Sequence, residues 1–194
     1  MRAAMATALL LTGALTALPA QAADKPMTGE QIRDLARRNM VWCENYRPDK
    51  KDCETLTLIS LLPDGSLRET GVMRLAASPD LKMVIDGRSA IDGNRVCSVF
   101  GEETVKLGFL LNDRPVPPTA AGAIEGVVRE AMAEFEGKTL CQTFYRGASD
   151  TDVREVITVN GERREDLESV YRLQPDEKGL DVRAPAPDAE EQVV

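Results

Sequence analysis

The 194-residue sequence contains no histidine. That absence removes the Ser-His-Asp and Cys-His catalytic units, the HExxH motif, imidazole zinc ligands and His-ligated haem. No CxxC pair occurs among the four cysteines, which leaves out the thioredoxin-type redox motif and the usual zinc-ribbon spacing. GxGxxG, Walker, GxSxG and EF-hand patterns are missing too, so dinucleotide, nucleotide and calcium chemistry lack their short signatures. No metal, cofactor or catalytic residue is assigned from the sequence. Aromatic residues make up only 4% of the chain, so the place of each one matters.

Positive charge is in the minority as well. Lys and Arg number 24 against 32 Asp and Glu, a formal charge of −8. Such a balance opposes phosphate backbones and anionic membrane surfaces, and nucleic acid is not an expected partner. Beyond the first 22 residues the longest apolar run is Leu56 to Leu62, strand-sized and too short to cross a bilayer.

What is present begins with an export signal. Arg2 precedes an uncharged Ala- and Leu-rich run from Ala3 to Leu18, followed by Pro19 and Ala20-Gln21-Ala22. This is the n-region, h-region and small-x-small order of a secretory leader. Residues 1–22 are therefore expected to be cleaved, with the mature chain starting near Ala23. Cleavage takes away only Arg2, so the mature charge becomes −9. The expected compartment is the periplasm or beyond it. There, four cysteines are expected to form two disulfides. Of the three pairings, Cys43 with Cys53 and Cys97 with Cys141 is preferred. The first closes a tight excursion through Arg47-Pro48-Asp49-Lys50-Lys51, worth roughly 3 kcal/mol in the loop-entropy account, and the second roughly 4 kcal/mol. Cys43 with Cys141 is the runner-up.

The pattern along the chain predicts an α+β fold dominated by antiparallel sheet, with two amphipathic helices. Thr28 and Gln31 form a capping box, Met27 and Ile32 a hydrophobic staple, and Ile32, Leu35, Ala36 and Met40 recur at helical spacing. This helix is expected to run to about Asn39 and to lie on a sheet. Strands follow at Val41 to Tyr46, Cys53 to Leu62 and Ser66 to Ala76, with Pro63-Asp64-Gly65 as a turn. Further strands are Leu81 to Asp86, Arg95 to Phe100 and Thr104 to Leu111, with turns at Asp86-Gly87 and Asp92-Gly93. After the linker Asn112 to Pro118, a second helix presents Ile124, Val127, Val128, Ala131 and Phe135 and stops at Gly137. Strands Thr139 to Arg146, Val153 to Val159 and Glu162 to Leu173 complete the pattern, with Asn160-Gly161 as a hairpin turn. Cys43-Glu44-Asn45-Tyr46-Arg47 and Cys141-Gln142-Thr143-Phe144-Tyr145-Arg146 match loosely, which suggests helix-plus-meander repeats over 27–100 and 117–173 within one domain, 23–173. Residues 174–194, acidic and proline-containing, are expected to be a solvated tail. Tandem helix-and-sheet units with local disulfides resemble, at the level of architecture, secreted inhibitors such as the β-lactamase-inhibitory proteins.

Two kinds of side chain remain as functional candidates. The carboxylate pairs Glu102-Glu103 and Asp150 with Asp152 could serve hydrolysis, although neighbours on a strand point to opposite faces. The aromatic and arginine residues Trp42, Tyr46, Arg47, Tyr145 and Arg146 suit recognition of a partner. The resulting expectation is an exported, periplasmic, non-enzymatic binding or structural protein of the bacterial envelope, recognising an envelope protein or small ligand. A carboxylate-dependent hydrolase of an envelope polymer and an inhibitor of an exported enzyme are the alternatives.

Overall fold

The computed structural model describes residues 25–183. The expected leader and the end of the acidic tail lie outside them. In chain order the elements are α1 (Gly29–Arg37), β1 (Val41–Glu44), β2 (Asp52–Cys53), β3 (Thr55–Leu61), β4 (Leu67–Ala77), β5 (Asp80–Asp92), β6 (Arg95–Val99), β7 (Val105–Leu111), β8 (Arg114–Pro115), α2 (Pro118–Ala131), β9 (Thr139–Arg146), β10 (Asp152–Val159), β11 (Glu162–Arg163), β12 (Val170–Gln174) and β13 (Asp181–Val182).

Eight of these strands close on themselves. The hydrogen-bonded circuit runs β1, β3, β4, β5, β6, β9, β10, β12 and back to β1, antiparallel at every step. Because the circuit follows chain order, this is an up-and-down barrel, and closure leaves no edge among its members. β5 takes two partners on one side, β7 along Leu81–Gly87 and β6 along Ala90–Asp92. β7 and β8 therefore continue the sheet outside the barrel.

Local chemistry explains most of the turns. Gly65, Gly93 and Gly161 all take positive φ, a conformation that costs glycine little. Asp86-Gly87 is not a turn: β5 runs straight through it, with Gly87 opposite Glu69 on one side and Val105 on the other. Ladders on both edges override the local turn preference. Asn112 and Asp113 instead make the two-residue connection from β7 to β8, both with positive φ. The strand expected over Glu162 to Leu173 is interrupted by a 3₁₀ turn at Glu165–Leu167.

Side chains alternate across the wall. Trp42, Ile59, Leu67, Val96, Phe144, Val153 and Leu173 point inward and share one core with Met27, Ile32, Leu35, Ala36 and Met40. α1 thus packs against β3 and shares the barrel's core. Its capping box is complete, and its N-terminal turn sits tightly, since a Cβ on Gly29 would fall 2.6 Å from the carbonyl oxygen of Gly93. α2 takes a different place: it buries no residue, and Val127, expected on its packed face, is 69% exposed. The two helices thus differ in how they pack.

Two disulfides, Cys43–Cys53 and Cys97–Cys141, staple the wall, as expected of a chain that matures in an oxidising, non-cytoplasmic compartment. The second links directly opposed residues of β6 and β9. The tail does not leave the body at Gln174. β13 pairs in parallel with β2, Val182 is buried, and Arg183 reaches Asn45, Asp52 and Glu54. Residues 175–183 form a strap across the outer wall because an arginine at their end finds two carboxylates at the disulfide loop.

Candidate functional site

The residues nominated from the sequence do not form one patch. Trp42 is inside the barrel, 2% exposed, with its ring centroid 4.9 Å from Phe144 and 5.7 Å from Tyr171. It cannot contribute to an exposed aromatic face. Tyr46 borders a shallow recess with Asp152 and Arg172. Arg47 is engaged by Asp52, Nε to Oδ1 at 2.7 Å and Nη2 to Oδ2 at 2.6 Å. Tyr145 carries the guanidinium of Arg154 at 4.5 Å from its ring centre, and Arg146 donates to the carbonyl of Asp150 at 2.7 Å. β12 and β10 stand between β1 and β9, so Tyr46 and Tyr145 are on separate stretches of the wall.

The nominated acids are no better placed for chemistry. Glu102 and Glu103 are exposed. Asp152 is held by Ser149 and Arg172, and the Ser149 hydroxyl together with that guanidinium keeps its carboxyl below the usual carboxylate range. Asp150 is exposed.

A different set of acids faces the inside. Glu44 lies two residues beyond Trp42 on β1, Glu69 two beyond Leu67 on β4, and Glu155 two beyond Val153 on β10. Each shares the inward phase of its apolar neighbour. Glu155 is 1% exposed. Its Oε2 accepts a hydrogen bond from the Tyr171 hydroxyl at 3.0 Å, while its Oε1 has no partner. Ser89 donates to Glu69, and Ser169 donates to Glu44. Trp42 Nε1 is likewise buried without a partner. The barrel interior therefore holds two buried polar atoms without a hydrogen-bond partner, and Tyr171 touches both residues.

The electrostatics follow from that placement. Burial pushes the Glu155 carboxyl up to about 8; the Tyr171 hydroxyl and the Gln142 side chain pull the other way, and the charges of Glu69 and Glu44 raise it further. Glu69 keeps some accessible area, yet desolvation of its carboxyl still raises its pKa against the opposing bond from Ser89. Tyr171 is raised by burial first and then by Glu155 and Glu44. Near neutral pH, Glu155 is thus a neutral carboxylic acid, unusual for a glutamate. Among the described residues no group of three or more acids, cysteines or histidines converges as metal ligands would, so the three carboxylates are spread around the lumen.

The outer wall offers a concavity of about 500 Å³ beneath the strap. Val41, Leu56, Leu58, Val72, Leu110 and Leu180 line its apolar part, and Lys82 and Asp113 its polar end. These last two are already paired at 2.6 Å. No helix among the described residues is long and apolar enough to cross a membrane.

The lumen acids were missed from the sequence although a signal was present. In Val153-Arg154-Glu155-Val156-Ile157-Thr158-Val159, Glu155 sits in phase with Val153 and Val159, the positions that become the buried face. No protein-family model matches the chain, and neither a curated protein nor a solved structure does.

Proposed function

We propose that this is an exported, periplasmic, non-enzymatic binding protein of the envelope whose barrel lumen holds a small ligand. One observation carries the reading: inside a closed eight-strand barrel, Glu155 Oε1 and Trp42 Nε1 are buried and unpartnered. A buried polar atom without a partner costs about 1–3 kcal/mol, and a barrel of this size has room for side chains or for one small ligand. A ligand with one donor and one acceptor would satisfy both atoms.

Hydrolysis of an envelope polymer has less support. Glu155 has the raised pKa of a general acid, but at 1% exposure it is out of reach of a polymer chain. The exposed acid pairs lack the environment that separates two pKa values. The test of binding is native mass spectrometry of the protein recovered from its own compartment without denaturation. A stoichiometric small-molecule adduct, lost in Glu155→Gln, is expected; a bare chain that takes up no small molecule on incubation with an envelope extract would overturn the reading.

A further inference from the structure

We infer that the groove beneath the strap binds a single-chain amphiphile with a cationic head, its apolar body against the outer wall and its charge among the acids of the rim. The site is separate from the barrel interior and does not depend on what the interior holds.

The floor of the groove is built by register. Trp42 and Ile59 point into the barrel, so their chain neighbours Val41 and Leu58 share the outward phase. Val41 stands opposite Leu58, and Leu56, in the same phase, stands opposite Val72. An antiparallel wall with one solvated face ordinarily carries polar side chains at such positions. Here three neighbouring strands carry aliphatic residues instead, and Leu110, opposite Lys82 on β5, lines the same hollow. An exposed apolar patch on a protein wall marks an interaction site.

The strap covers this floor without filling it. Leu180 and Val182 line the hollow from the strap, and about 500 Å³ is left open. Leu58 stays 39% exposed. That volume suits one small organic molecule. The strap is tied at both ends, by Gln174 opposite Val41 and by Arg183 on Asn45 and Glu54. A slender chain fits beneath it, whereas an α-helix, about 10 Å across, would have to lift it.

The charge of the head follows from the rim. Lys82 is the only base among the lining residues, and it is already engaged by Asp113 at 2.6 Å and Asp80 at 3.6 Å. Asp176, Glu177 and Asp181 complete the rim. Asp181 is met by Arg74 at 3.2 Å. Asp176 accepts from the backbone N–H of Lys178, but among the described residues no base forms an ion pair with Asp176 or Glu177, and both are exposed. An anionic head would find its one base occupied and acids around it; a cationic head finds two carboxylates unpaired.

Other occupants fit less well. Beyond Arg183 every charged side chain of the sequence, Asp188, Glu190 and Glu191, is acidic, the sign of the rim itself. A second copy would bring the same rim and the same formal charge of −8, a field that draws cations from a distance. Apolar burial supplies the affinity and the rim selects the sign, because exposed ion pairs contribute little one at a time.

Calorimetric titration of the exported chain, both disulfides formed, with octylammonium, octanoate and octyl glucoside below their micelle concentrations tests this. Octylammonium is expected to bind saturably and about tenfold tighter than octanoate at low salt, the gap closing at high salt, with octyl glucoside between them. Methyl resonances locate the probe: shifts should centre on Leu56, Leu58, Val72 and Leu180. Leu58→Trp, which fills the groove from a partly exposed position, should weaken octylammonium binding by about tenfold or more and keep the near-UV circular dichroism. Asp176→Asn/Glu177→Gln should weaken it about threefold and leave octyl glucoside unchanged. Octanoate binding as tightly as octylammonium, unchanged octylammonium affinity in either variant, or no saturable binding would overturn the inference. Shifts centred on Val153 and Leu173 would overturn it too, while supporting a ligand in the lumen.

Discussion

The outer wall and the lumen of this barrel handle charge in opposite ways. Outside, acids meet bases: Arg88 lies 2.8 Å from Asp64, Arg47 2.6 Å from Asp52 and Lys82 2.6 Å from Asp113. Inside, Glu44, Glu69 and Glu155 are met by Ser169, Ser89 and Tyr171. Exposed pairs such as Arg88 with Asp64 contribute little to stability because water screens them. Buried carboxyl groups cost free energy whenever they ionise. Glu155 is almost wholly buried, so substitutions on the two sides should behave differently.

The largest contrast is expected at Glu155. Its carboxyl ionises in the ordinary range near 4.3 when unfolded and near 8 when folded. Between those values the folded chain holds one more proton than the unfolded chain, so stability falls as pH rises. The loss amounts to up to about 5 kcal/mol across that window. Glu155→Gln should remove this slope, raising the denaturation midpoint relative to wild type at about pH 8 and changing it least near pH 4. Urea unfolding at several pH values reads the effect, and parallel curves for the two proteins would break the comparison.

Next in size is the Cys43–Cys53 staple, which also carries the edge on which β13 docks. The double variant Cys43→Ala/Cys53→Ala should lose about 3 kcal/mol and should speed hydrogen exchange over 181–183 more than over β9. Exchange that rises uniformly would show that the strap does not depend on the loop. Tyr171→Phe follows, at about 1–3 kcal/mol, because it leaves Glu155 Oε2 without its donor. Since that hydroxyl lowers the Glu155 pKa, its loss should push the pKa higher still and move the pH-dependent loss of stability to higher pH. Smallest is Arg88→Ala on the wall, where both partners are largely exposed; thermal melts should show no resolved change.

The same contrast explains what could be read in advance. The first helix was legible because its signals are local: Thr28 and Gln31 cap it and Ile32, Leu35 and Ala36 recur on one side. Turns at Gly65, Gly93 and Gly161 and the two disulfide pairs were legible for similar reasons. Closure of the barrel was not, because it depends on β1 meeting β12, far apart in sequence and with no local mark. Asp86-Gly87 misled because a turn-forming dipeptide can be held straight by ladders on both sides. The strap was hidden by its acidic composition, which masks the single Arg183 that anchors it. Trp42, which its rarity nominates for an exposed recognition face, lies inside instead. Placing it inside requires knowing that the sheet closes, and the same knowledge turns Glu44, Glu69 and Glu155 from surface acids into lumen groups.

The most direct test of the central claim is infrared difference spectroscopy of the carboxyl C=O stretch through a pH titration, with Glu155→Gln as reference. A protonated carboxylic acid band that persists above pH 6, disappears near 8 and is missing from the variant is the predicted result. Complete ionisation of every carboxyl group by about pH 5, the end of the ordinary carboxylate range, would contradict the account.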